Sequence, residues 1–302
     1  MTLSRRDLLR GKLKSATGAS GPAAPAEPAA PTEPGMPPVS MTPPIKPPPR
    51  PRRGSGKAEH IPVMWVLPRG DATPARLALW LCGGNAGMNA SGSELEALAE
   101  AGFVGLSFDS WHRGSRAPES NAEQFKRLRA NYPQVAWPLI GNAALEVLRV
   151  LDWAAAEFGA EPPFCVGGHD LGGDIAIAAA GLDARIGCVA AITASPDWLR
   201  PGMRIAGQEL DPGKPDAYAQ WFYDRLDPLT HVESFSHRPA IALECGADDE
   251  HAPPDGAQRF RDALLAGSYG GAPERLRVTV HDGVRHEYTP EMWAACLAWF
   301  QQ

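Results

Sequence analysis

From about residue 60 onward, short unbroken apolar runs alternate with longer stretches in which apolar residues recur at helical spacing. The short runs predict strands at 62–67, 76–81, 103–108, 164–168, 186–193, 240–245 and 276–280. The periodic stretches predict helices at 93–101, 139–158, 171–181, 254–266 and 290–300. Strands that are apolar on both faces, separated by amphipathic helices, imply an α/β fold with a mostly parallel sheet and helices on both faces. In such a sheet, chemistry gathers where strand ends lead into helices. The stretch 196–237 breaks the alternation. It holds Trp198, Tyr218, Trp221, Phe222 and Tyr223 among Pro, Gly and charged residues, and reads as a small cap insertion that roofs the strand ends and walls a pocket.

The first 59 residues are of a different kind. Of the 31 prolines, 13 fall between Pro22 and Pro51, and repeated proline removes backbone donors and forbids helix, so residues 1–59 are expected to be a disordered basic tail and linker ahead of one domain at 60–302. The tail carries 10 Lys+Arg against 4 Asp+Glu, the body 19 against 31. An acidic body argues against a nucleic-acid partner, and no apolar window reaches the roughly 18 residues of a membrane span. Arg5 and Arg6 resemble a twin-arginine export signal, but the run that follows is polar and Pro-rich. A cytoplasmic location is therefore expected, with twin-arginine export as the alternative. Cys82, Cys165, Cys188, Cys245 and Cys296 stand singly in apolar stretches, which predicts buried thiols rather than a metal site or a disulfide framework. No cofactor and no metal are expected. Nothing in the pattern specifies an oligomeric state.

The most informative segment runs from Phe164 to Asp174, an apolar strand that turns into a helix at Gly168-His169-Asp170-Leu171-Gly172-Gly173. Glycines on both sides of Asp170 permit a sharp turn and close helix packing, which pushes the Asp170 side chain out at the top of the sheet. The competing role for Asp170 is to cap the helix that begins at Leu171. Further on, the strand at 240–245 runs into Asp248 and Asp249, and the strand at 276–280 runs into His281 and, in the next loop, His286. Nucleophile, acid and histidine in this order form a catalytic constellation, although position alone separates neither the two aspartates nor the two histidines. Two backbone N–H groups are expected to form an oxyanion hole, those of Leu171 and of Gly84 in the glycine-rich loop 82–87. That loop lacks the Lys-Ser/Thr of a phosphate-binding loop, which disfavours a nucleotide site.

With these motifs the sequence resembles the α/β-hydrolase superfamily over nearly all of residues 60 to 302, and its layout is similar to the dienelactone-hydrolase-like and esterase branch. The resemblance selects Asp249, through Gly246 to Pro253, as the acid and His286 as the histidine. It implies a hydrolase acting on a small-molecule substrate. That branch carries Ser or Cys where this chain has Asp170; the Gly-His-Asp-Leu-Gly-Gly turn is similar to that of epoxide hydrolases and haloalkane dehalogenases, in which Asp attacks carbon. The short insertion and Leu171 differ from the large cap and the Trp of those families.

A carboxylate is ionised at neutral pH and attacks without a base. The favoured expectation is therefore an epoxide or carbon–halogen substrate and an ester intermediate on Asp170. Carboxylic ester or lactone hydrolysis is the alternative, and a non-catalytic binding protein a second one. Tyr218 or Tyr223 would supply an acid to an epoxide oxygen, and Trp111, Trp198 or Asn85 would donate N–H to a halide. Arg113 and Arg116 either bind a substrate carboxylate or belong to a solvated loop held by Asp109.

Overall fold

A computed structural model describes residues 52–70, 75–84, 86–205, 207–209 and 213–302. The predicted proline-rich run and the paired arginines lie outside these residues. The described chain starts with a hairpin, β1 (Arg53–Ala58) and β2 (Ile61–Val66), paired antiparallel. The expected boundary at residues 59 and 60 is therefore corrected: it falls in the turn of this hairpin, and β1 belongs to the sheet. With two glycines and four exposed positions, β1 has no apolar pattern to betray it. Backbone pairing and the ion pairs of Arg52 and Arg53 with Glu96 hold it instead.

Then follow β3 (Arg76–Leu81), α1 (Gly92–Glu100), β4 (Phe103–Phe108), α2 (Asn121–Ala130), α3 (Tyr132–Phe158), β5 (Phe164–His169), α4 (Leu171–Leu182) and β6 (Ile186–Ile192). The insertion contributes β7 (Arg204–Ile205), β8 (Gln208–Glu209) and α5 (Ala217–Leu226), and the chain closes with β9 (Ala240–Gly246), α6 (Pro254–Ala266), β10 (Leu276–His281) and α7 (Pro290–Phe300). The main sheet has the order β1-β2-β4-β3-β5-β6-β9-β10 and is parallel from β4 onward.

The two-sided burial follows from the strand period of two. Along β3, Leu77, Leu79 and Leu81 join a core with Ile140 of α3, Ile175 of α4 and Phe260 of α6. Ala78 and Trp80 point the other way, to Leu95 of α1 and to Met292 and Phe300 of α7. All seven predicted strands and all five predicted helices are present, with ends shifted by a residue or two except at the start of α3. That helix begins seven residues earlier than expected, because Pro133 lies in its first turn, where no donor is needed, and Pro138 is accommodated within it. Helix α2 was missed because its sequence is polar, although Ser120 and Glu123 form a capping box at its start. Among the described residues no helix is long and apolar enough to cross a membrane.

Of the cysteines, Cys165, Cys245 and Cys296 are buried as expected, whereas Cys82 and Cys188 are half-buried; all five are free.

Candidate active site

At the carboxyl end of β5 the chain reverses into α4 through Asp170, whose φ of 51° and ψ of −126° lie outside the ordinary regions for a residue with a side chain. Such a conformation costs about 1–3 kcal/mol and persists only where its surroundings impose it. Glycine neighbours make the turn possible: a Cβ on Gly172 would lie 2.3 Å from the Leu81 carbonyl oxygen, and one on Gly83 would lie 2.6 Å from Asp170 Cβ. Asp170 does not cap α4, since its side chain makes no capping hydrogen bond. Instead Oδ2 accepts the Gly84 N–H at 2.8 Å, and Oδ1 lies 3.3 Å from His286 Nε2.

The loops after β9 and β10 bring up the other two residues. Asp249, buried after β9, places Oδ2 2.8 Å from His286 Nδ1, and its Oδ1 accepts the backbone N–H groups of His251 and Ala252, both at 2.8 Å. Asp249, the acid that the resemblance selects, is thus the one in contact with His286. His281 is occupied elsewhere, with Nε2 2.8 Å from Glu244. His286 is thus flanked by two carboxylates. Burial by itself would lower its pKa, but the hydrogen bonds to Asp170 and Asp249 and their charges carry it up to about 9. Asp170 shows the reciprocal effect: burial works to raise it, yet the His286 bond and charge, with His251 and Arg200 behind, hold it well below the usual carboxylate range. The resting arrangement is an imidazolium held between two carboxylates.

These groups open into a cavity of about 250 Å³ lined by Phe125, Leu128, Tyr132, Ala136, Leu139 and Leu171, with Arg113, Arg200, Ile205 and His251 at its margins. Leu171 and Gly84, the expected oxyanion residues, both line it; the Leu171 N–H opens α4, where no intrahelical carbonyl is in reach. Arg113 lines it too, buried, donating to Gln124 Oε1 at 2.6 Å, and burial pushes its pKa down to about 10 against the pull of Asp170.

Three expected substrate contacts are corrected, since none of them lines this cavity. Trp111 stacks on His112 beside a different depression, which Tyr218 also lines. Trp198 is buried in the core, where its carbonyl accepts the Trp137 indole N–H at 3.0 Å. Tyr218 is 52% exposed and meets Asn142 Nδ2 at 3.1 Å. Tyr223, the other proposed acid, stacks on Trp137, and Arg116 is tied to Glu146. Asn85 lies outside the described residues. Phe222 and Tyr223 therefore pack α5 onto α3, against Gly141 and Trp137, while Trp221 is exposed, and the insertion reaches the cavity through Arg200 and Ile205. The loop after β4 is held by Asp109, which accepts from Met88 N–H and from the Ser115 N–H and hydroxyl.

Sequence reasoning missed Tyr132, Arg200 and His251. Arg200 is fully buried against Asp174, to which it is ion-paired. Only His251 left a local signal, two residues after Asp249 in the acid loop. One oxygen of Asp170 and one nitrogen each of His251 and His286 lie within 4.8 Å of one another, a set with the donor types of a divalent-ion site.

No family model matches the chain, and no curated protein is similar to it in sequence. Solved structures share its fold. TT1662 of Thermus thermophilus superposes with a TM-score of 0.65 at 23% identity, over 83% of this chain and 99% of that one. A Klebsiella pneumoniae protein assigned as a dienelactone hydrolase gives 0.59 at 16% identity, over 83% and 98%. The acylaminoacyl peptidase of Pyrococcus horikoshii gives 0.62 at 15% identity, over 84% of this chain but 41% of that longer one.

Proposed function

We propose that this chain, which has the α/β-hydrolase fold, is a hydrolase that acts on a small, largely apolar molecule through an ester formed on Asp170. The observation that carries the reading is the division of labour within one carboxylate: Oδ2 rests on the Gly84 N–H while Oδ1 faces His286 and the cavity. A carboxylate so held attacks saturated carbon with Oδ1, displacing a halide or opening an epoxide. The oxygen already on the N–H then becomes the oxyanion when water attacks Cγ, with Leu171 N–H as the second donor.

The charge on His286 fits this sequence of steps. While Asp170 is a free carboxylate, the imidazole carries a proton and is no base. Esterification removes one of the two charges that hold that proton, so the proton passes to solvent, or to the alkoxide of an opened epoxide. The neutral ring then takes a proton from water. Collapse of the tetrahedral adduct breaks the Cγ–Oδ1 bond, and the alcohol leaves with Oδ1 and the proton that His286 took from water. The water oxygen stays on Cγ in an acid whose remaining proton passes to His286 as the carboxylate is regenerated. Mass spectrometry tests this. Small epoxides or alkyl halides should leave an alkyl adduct on Asp170 in His286→Gln, and wild-type turnover in oxygen-18 water should label Asp170. Labelled product with unlabelled Asp170 would refute the covalent step.

A second reading, carboxylic ester or lactone hydrolysis, is favoured by the neighbours, which include a protein assigned as a dienelactone hydrolase and an acylaminoacyl peptidase. Against it stands the chemistry of Asp170, whose attack on an ester carbonyl would give an anhydride. Turnover of p-nitrophenyl esters that survives Asp170→Ala would favour ester hydrolysis without Asp170 as nucleophile.

A further inference from the structure

The loop that carries Asp249 also brings a second imidazole to the site. The His251 backbone is fixed at both ends, its N–H donating to Asp249 Oδ1 at 2.8 Å and its carbonyl accepting from Arg200 Nη1 at 3.2 Å. The ring meets the His286 ring edge to face, centroids 4.6 Å apart, and Nε2 lies 3.9 Å from Asp170 Oδ1. The nearest nitrogens of the two rings and the Asp170 oxygen lie within 4.8 Å of one another. Two hydrogen bonds of about 2.8 Å span up to about 5.6 Å, so a separation of at most 4.8 Å lets one water reach both ring nitrogens. The spacing therefore suits a bridging water without movement of the side chains.

The rings also stand at a boundary. His251, His286 and Ile205 line both the small apolar cavity and a wider groove of about 990 Å³ that holds Asp248, Glu250, Arg204 and Arg285 but not Asp170. Substrate in the apolar cavity would leave the groove side open as a route for water to the rings.

We propose that His251 is a second catalytic residue, which with His286 holds and orients the water that hydrolyses the Asp170 ester. The proposal rests on the covalent reading above. Water bound between the two rings lies beside Asp170, on the groove side of the ester. One water proton passes to His286, its oxygen bonds to Cγ, and the Cγ–Oδ1 bond then breaks as the alcohol takes that proton. His251 accepts a hydrogen bond from the second water proton and so aims the lone pair at Cγ. Burial, followed by the charge of Arg200, lowers its pKa to about 4, which keeps a ring nitrogen free to accept at neutral pH.

The test separates the two half-reactions. Wild type, His251→Gln and His251→Ala are mixed with 1,2-epoxyhexane or 1-bromobutane, quenched over time, and the Asp170 peptide is weighed. The expected result is an unchanged rate of adduct formation in both variants, with adduct breakdown slowed roughly ten- to hundred-fold. Free imidazole added to His251→Ala should restore part of the breakdown rate, a rescue that a merely structural role would not produce. Unchanged formation also shows that the variants are folded. Adduct that clears at the wild-type rate in both variants overturns the role of His251 and leaves the covalent reading standing. Absence of adduct from wild type, both variants and His286→Gln overturns the covalent reading, and this proposal with it.

Discussion

Replacing Asp170 with asparagine keeps the shape of the turn and removes one of the two charges beside His286. In the wild-type protein His286 is carried to about 9 from an ordinary 6.5, which at about 1.4 kcal/mol per pH unit is roughly 3 kcal/mol of preference for the charged ring. The carboxylates responsible approach at 3.3 Å (Asp170) and 2.8 Å (Asp249). Both carboxylates contribute through a hydrogen bond and through charge, and Asp170 supplies about half of the attraction. Burial opposes the shift, so the gross attraction exceeds the net one, and Asp170→Asn should lower the His286 midpoint by at least about 1 pH unit. Imidazole resonances followed by NMR across the pH range would measure both midpoints.

The same shift appears in stability. The folded pKa lies above the unfolded one, so the contribution of His286 is complete below about 6.5 and is lost as pH rises through about 9. Wild type should therefore lose stability across that window more steeply than Asp170→Asn. From the Asp170 side, whose folded pKa is depressed, the same ion pair is present above the ordinary carboxylate range and is lost only at much lower pH. A wild-type His286 that titrates near 6.5, or a midpoint that Asp170→Asn leaves unchanged, would refute the arrangement of an imidazolium between two carboxylates.

Other substitutions probe the supports of the site. Asp249→Asn removes the acceptor at His286 Nδ1 and should slow turnover by about 10²- to 10⁴-fold, with adduct persisting on Asp170, as mass spectrometry of the quenched reaction would show. Arg200→Met leaves the buried Asp174 carboxyl without its cation, at a site where burial already pushes its pKa up to about 6. It should cost about 3–5 kcal/mol in chemical denaturation, part of it recovered by adding Asp174→Asn, which keeps the acceptor for the Ser195 N–H. Gly172→Ala places a methyl 2.3 Å from the Leu81 carbonyl oxygen and should destabilise by about 1–3 kcal/mol or more. Gly92→Ala, at the helical start of α1 with nothing within 4 Å of the new methyl, should be stabilising by about 0.4–1 kcal/mol in the same assay.

The strands that carry the site were legible because β3, β4 and β5 are buried on both faces and so read as unbroken apolar runs. Asp170 and Asp249 were legible because each follows a buried strand, and His286 because it follows β10, a half-buried strand at the sheet edge that still alternates Leu276, Val278 and Val280 with polar residues. Strand ends are where this architecture gathers polar groups. β1 and α2 were not, because one is held by backbone pairing and the other is polar along most of its length. The aromatic residues of the insertion misled for a related reason. Pattern shows that Trp198 and Phe222 seek burial but not against what, and here they pack into the body of the domain rather than over the cavity.

The layered α/β architecture, the turn at Asp170 and the order of the three polar groups follow from periodicity and local backbone chemistry, which the linear chain carries in full. Asp249 and His286 were selected by the resemblance of their motifs; tertiary structure supplied their contact, paired His281 with Glu244, and brought Tyr132, Arg200 and His251 to one place from distant elements. The reason is physical: a pKa, an ion pair or a cavity wall depends on distances of 3 to 5 Å across segments far apart in the chain, and a linear pattern carries no such distances.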